Sequence, residues 1–188
     1  MNETLKRAIS GAVYIVLLLS CILYSKNSFN ILFGIFLAIA LYEFSKLVKI
    51  NLWFSLVAGL FIYIFTCKSK FDLIIDSFLT GFTTSISILL IGFLFSKKRQ
   101  KISKPYRYAL LFGYIIFPFI LLTKIPLVLN GYNPKILISI FILICTNDTF
   151  AYLVGKNFGK HKLLPSISPK KTIEGFVGGI AFSILMSY

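Results

Sequence analysis

The sequence predicts an all-α fold, a polytopic transmembrane helical bundle with about six complete spans and the start of a seventh. Three observations predict it. Of the 188 residues, 57% are hydrophobic, above the roughly 45–50% of soluble domains, and mean hydropathy is +0.87. Several apolar stretches approach or exceed the roughly 18 to 20 residues that cross a bilayer as a helix. The formal charge is +14, carried by lysines and arginines in short loops between apolar runs, as membrane topology and anionic headgroups require. The chain reads as one membrane-embedded domain over residues 1–188.

The first span is expected near Ala8–Tyr24, and the polar turn Ser25–Ser28 separates it from a second near Phe29–Phe44. A third lies near Leu52–Cys67, and a fourth near Leu73–Phe95 is interrupted by the small polar run Thr80–Ser85, read as interhelical packing. The fifth, near Tyr108–Leu129, contains Pro118 and Pro126. The sixth runs near Ile136–Val154, a polar connection continues to about Glu174, and a seventh apolar segment begins at Gly175.

Alternating sides from a cytoplasmic N-terminus puts Lys26, Lys68, Lys70 and Lys135 outside and Lys124 within a span. Every other basic residue falls inside, most densely in the loop Ser96–Arg107. That bias orients the protein and places the connection after the sixth span in the cytoplasm. No aromatic-basic stripe or nucleic-acid motif occurs, so nucleic acid is not expected as a partner. Cys21, Cys67 and Cys145 lack close pairing and read as small buried hydrophobes. Glu43 is expected to pair with Lys46 one turn on, and Asp72 and Asp76 to favour the start of the fourth helix.

The residues suited to chemistry gather late in the chain. Asp148 lies inside the sixth apolar segment, where a carboxylate is costly unless it is paired, metal-bound or facing a wet cavity. Ala151, Gly155 and Gly159 recur every four residues and would form a smooth strip for close approach of a helix or ligand. In Ser168-Pro169-Lys170-Lys171-Thr172, serine suits an N-cap and proline the first helical position, so the seventh helix is expected to start there. A helix start with free N–H groups, two lysines and a hydroxyl is suited to an anion. Taken separately, these elements also fit a paired aspartate, packing glycines and an ordinary capped helix. His161, the only histidine, has no cluster of further ligands beside it and reads as a loop residue near phosphate or headgroups.

Together, Asp148, Ala151-Tyr152, Gly155–Leu163 and Ser168–Gly179 resemble the phosphatidate cytidylyltransferase (CDP-diacylglycerol synthase) family, whose members carry the same elements in this order. The resemblance implies transfer of a cytidylyl group from CTP to phosphatidic acid in the membrane, with Mg²⁺ as cofactor. It implies Asp148 as the metal-linked catalytic carboxylate and Lys171 as a catalytic cation. It also implies phosphate binding by Ser168, Lys171 and Thr172, with Lys170, Lys156 and Lys160 as further candidates. The expected partners are CTP, phosphatidic acid and membrane lipids, and a homodimer is compatible; the expected place is a bacterial cytoplasmic membrane. The family's later signature (a Lys-Asp pair, a His-Gly-Gly turn and an Asp-Arg-x-Asp cluster) is absent, so the expectation is an N-terminal portion, either part of an active enzyme or incomplete and inactive by itself. A non-catalytic membrane protein binding anionic lipid or a partner, and a CTP-dependent lipid kinase, are the competing readings.

Overall fold

Each of the seven apolar segments forms a helix. The computed structural model describes residues 3–68, 72–95, 103–127, 131–165 and 167–188, with only the backbone of 3–8, 10 and 68. The helices are α1 (Glu3–Tyr24), α2 (Lys26–Val48), α3 (Leu52–Lys68), α4 (Leu73–Phe95), α5 (Lys104–Leu127), α6 (Pro134–Phe158) and α7 (Ile173–Met186). Between α6 and α7 lie two short strands, β1 (Lys162–Leu164) and β2 (Ser168–Thr172). Four helices, α2, α4, α5 and α6, are long and apolar enough to cross a membrane, and three shorter apolar helices accompany them. The architecture is that of an integral membrane protein built from helices, since a helix satisfies its own backbone where no water can. Lys97, Lys98, Arg99 and Lys101 of the basic loop, Lys70, and the expected end of the fifth span at Val128 and Leu129 lie outside the described residues.

The fold comprises two compact units, Met1–Asn133 and Pro134–Tyr188. In the first, α2 supplies the central stripe: Phe29, Phe33, Leu37, Leu41 and Ser45 recur every four residues and are buried. Leu111, Ile116 and Ile120 of α5 and Tyr63 of α3 complete the interior. Outward faces are equally greasy, with Trp53, Phe61 and Ile74 all exposed. That is the surface a helix presents when its solvent is hydrocarbon.

Local chemistry explains the irregular stretches. In α5 the hydrogen-bond ladder widens over Leu111–Ile116, where Phe117 N–H reaches back five residues to Phe112. Pro118 follows, and a proline has no N–H for the carbonyl four residues back and crowds it sterically. The fourth helix is not interrupted at Thr80–Ser85. The hydroxyls of Thr80, Thr83, Thr84 and Ser85 donate to carbonyls three or four residues back in their own helix. Buried Leu79 and Ile86 make inward contacts of this stretch, and Phe82 within it packs edge-on against Phe117 of α5 with centroids 5.6 Å apart. Self-satisfaction is what lets such residues sit among apolar ones.

Among the charged residues, Asp72 and Asp76 both support the start of α4 as expected, and Lys46 departs from expectation. Asp72 caps α4, accepting from the N–H groups of Ile74 and Ile75 at 2.9 and 3.2 Å. Asp76, in the first turn of α4, accepts from the Asp72 N–H at 3.2 Å and in addition pairs with Lys124 of α5, both almost fully buried. Lys46 leaves Glu43 and turns to Tyr42, touching its hydroxyl and lying 4.2 Å from its ring centroid. A four-residue spacing stacks the two chains on one helix face. The cysteines are free, as expected, although Cys145 is exposed.

The second unit is a helical pair joined by the hairpin. Small residues set the crossing: a Cβ placed on Gly175 would lie 2.6 Å from the Ala151 carbonyl oxygen, and one on Gly179 would lie 2.8 Å from Asn147 Oδ1. Phe150 and Phe182 stack across the same seam with centroids 3.8 Å apart. The expected glycine strip is therefore a helix-packing surface, and backbone meets backbone. Gly175→Ala is expected to destabilise the fold by about 1–3 kcal/mol through overpacking, measured by thermal denaturation in detergent. Gly92→Ala, whose Cβ would meet nothing within 4 Å, should leave the transition unchanged or raise it.

Candidate functional site

The candidate residues lie on three adjoining pieces of the second unit: the C-terminal half of α6, the hairpin, and the start of α7. Helix α7 does not start at Ser168. Ser168–Thr172 is strand β2, antiparallel to β1, with Lys162 opposite Thr172 and Leu164 opposite Ser168. Two steps along β1 thus face four along β2, so Pro169–Lys171 bulge out of the ladder. A bulge bends its strand and re-aims the side chains it carries. Lys170 and Lys171 are exposed, and Ser168 is half-buried.

The true N-cap is Thr172, in extended backbone (φ −121°, ψ 155°), whose Oγ1 accepts from Gly175 N–H at 3.2 Å. It is buried against the glycines of α6, with its Oγ1 2.9 Å from where a Cβ on Gly155 would stand. Serine-proline is a valid helix start in isolation, but strand pairing and this buried cap move the start to Ile173. Thr172 therefore joins α6 to α7, with its hydroxyl oxygen committed to the cap.

Sequence reasoning missed Glu174. Its carboxylate accepts from Lys160 N–H at 3.1 Å, from His161 N–H at 3.2 Å, and meets His161 Nδ1 at 2.7 Å. Ile173 N–H returns a bond to the His161 carbonyl at 2.9 Å. One carboxylate in the first turn of α7 thus clasps the loop that carries Lys160. The spacing of an acid two residues after a threonine cap gives no hint of this, because its partners are backbone groups 13 and 14 residues earlier. Its own N–H at the helix start, then the His161 imidazole and the N–H groups of His161 and Lys160, hold the Glu174 carboxyl down to about 2 from 4.5.

Asp148 lies on α6 one turn before Ala151, whose carbonyl abuts Gly175. It is exposed and makes no hydrogen bond or ion pair with any described residue. A paired aspartate is therefore not what the fold contains. Lys156 lies 5.9 Å over the Tyr152 ring. Lys160 is exposed, its N–H held by Glu174. The fold thus brings Asp148, Lys156, Lys160, Lys170 and Lys171 into one unit, without direct contact between Asp148 and any described lysine. No group of three or more His, Cys, Asp or Glu that could hold a metal occurs among the described residues. One unpartnered carboxylate nevertheless fits Mg²⁺, which is bound through one or two carboxylates with water and phosphate oxygens completing its shell.

A sequence model described as "Cytidylyltransferase family" matches residues 5–188. The chain belongs to that family. It is 42% identical over 96 residues to a phosphatidate cytidylyltransferase of Aquifex aeolicus, covering 51% of this chain and 36% of that one. It is 56% identical over 46 residues to a phosphatidate cytidylyltransferase of Staphylococcus aureus, covering 24% of this chain and 18% of that one. A Staphylococcus epidermidis protein of the same description is 59% identical over 46 residues. The chain thus matches little more than a third of the length of the first relative and less than a fifth of the others. No solved structure matches it.

The Glu174 clasp gives this family member a signature in acid. Because the folded carboxyl titrates below its unfolded value, the clasp contributes fully above about pH 4.5 and is lost as pH falls towards about 2. Amide hydrogen exchange at Lys160 and His161, corrected for intrinsic rates, should show protection that disappears across that window. Glu174→Gln should flatten the profile.

Proposed function

We propose that this chain takes part in CTP:phosphatidate cytidylyl transfer, forming CDP-diacylglycerol and pyrophosphate in phospholipid biosynthesis. Family membership and the names of the relatives support the reaction class. The observation that carries the site is the unpartnered carboxylate of Asp148 in the same small unit as the exposed lysines of a bulged strand.

In this reaction a phosphate oxygen of phosphatidic acid bonds to the α-phosphorus of CTP. The bond from that phosphorus to the bridging oxygen breaks, and pyrophosphate leaves with the electron pair. The nucleophile is already anionic near neutral pH, so the protein supplies position and countercharge rather than a strong base. Lys171 and Lys170, set outward by the bulge, would meet phosphate oxygens, and Ser168 would add a hydroxyl at the strand's start. Lys156, in the last turn of α6, and Lys160, just after that helix, would add further positive charge. Thr172 would act mainly by holding β2 to α6. Asp148 would hold Mg²⁺, which when bound neutralises polyphosphate charge. The loop bias of the basic residues supports placing these groups and the N-terminus at the cytoplasmic face of a bacterial membrane, where CTP is available.

The test is formation of CDP-diacylglycerol from CTP, Mg²⁺ and phosphatidate in vesicles, by protein that contains this segment. Asp148→Asn and Lys171→Ala should each lower turnover roughly 10²–10³-fold, as loss of one preorganised electrostatic group does, with the fold intact by circular dichroism. Near-normal turnover in both would remove the site assignment. Transfer of phosphate instead of cytidylate would identify a lipid kinase, and Mg²⁺-independent lipid binding without turnover a non-catalytic role.

A further inference from the structure

The buried pair of Asp76 and Lys124 has no part in the chemistry above. It lies in the first unit, at the end of the bundle where α4 begins and α5 finishes. Charged residues among membrane helices are costly and ordinarily serve a ligand, a partner or a pathway. Each carboxylate oxygen of Asp76 has a partner: Oδ1 accepts from Lys124 and Oδ2 from Asp72 N–H at 3.2 Å. Lys124 is not. An ammonium has three donors, and among the described residues only Asp76 accepts from it.

A cavity of about 610 Å³ opens at this point. Asp76 and Lys124 form part of its wall. Ser77 and Thr80 extend the polar side along α4, while Pro118, Leu121 and Leu122 of α5 form an apolar side. Its volume falls in the range of small-molecule sites, and exposed Ile74 and Phe78 continue the apolar surface on α4. Among the described residues, the site therefore offers two unused donors at one edge and hydrocarbon along the other.

We propose that this cavity binds the glycerol-ester region of a membrane diacyl lipid, with an ester carbonyl accepting from Lys124 and an acyl chain along Leu121 and Leu122. Electroneutrality selects the ester. Asp76 already balances Lys124, so a phosphate would bring an uncompensated negative charge into a low-dielectric site, whereas a carbonyl satisfies the donors without one. A buried donor left without an acceptor is itself unfavourable, which gives the lipid a role in stabilising the pair.

The test uses the purified chain with equal amounts of dioleoyl phosphatidylglycerol and its dialkyl ether analogue, which lacks only the carbonyls. Native mass spectrometry reads the ratio of retained ester to ether lipid. The wild type should favour the ester by about tenfold, the value of one charge-assisted hydrogen bond. Asp76→Asn combined with Lys124→Met removes the donors without stranding a charge and should bring the ratio to about one. Ser77→Trp fills the cavity, leaves the ion pair in place and should also abolish the preference. It decides the matter if the double variant does not fold. Equal retention of both lipids by the wild type overturns the proposal, since water or phosphate would then occupy the donors. So does a preference that survives either variant.

Discussion

The close crossing of α6 and α7 is the constraint on which the second unit depends. Backbone approaches backbone where Gly175 meets the Ala151 carbonyl and Thr172 lies against Gly155. A side chain larger than hydrogen at Gly175 would push the helices apart, and with them the hairpin that bridges their ends. Because the crossing buries Thr172, β2 is tied to α6, and the strand can bulge at Pro169–Lys171 without losing its anchorage. Glu174 adds the opposite tether, from the first turn of α7 to the loop after α6. The lysines thus stand on a short segment held at both ends.

The first unit answers a different demand. Its helices sit in a solvent as apolar as their own side chains, so packing relies on fit and on the absence of stranded polar groups. The hydroxyls of α4 turn back on their own carbonyls. Pro118 shifts the ladder of α5 instead of ending the helix. Asp76 and Lys124 neutralise each other in the interior. Two treatments of charge therefore coexist in one chain: carboxylate and ammonium paired and buried in the first unit, and an unpaired carboxylate with exposed ammonium groups in the second.

Much of this was legible residue by residue. Apolar run lengths located all seven helices, and the four-residue recurrence of Ala151, Gly155 and Gly159 marked the packing strip. What misled was local preference read without its neighbours. Ser168-Pro169 is a good helix start, yet pairing with Lys162–Leu164 makes it a strand. Glu43 and Lys46 have the spacing of an ion pair, but Tyr42 offers Lys46 both an aromatic face and a hydroxyl.

The sequence alone determined the class of solvent, the helical segments, the family and the residues rich enough in charge to meet phosphate. The solvent class and the helices follow from composition and short-range periodicity, the family and the phosphate-meeting residues from the resemblance of ordered motifs, and a chain carries both whether folded or not. Tertiary structure alone decided that Asp76 would find Lys124 48 residues away, that Glu174 would clasp the Lys160–His161 backbone, and that Asp148 would stay unpartnered. Such outcomes depend on which helix faces which. Desolvation and close packing choose those contacts only once the helices have met.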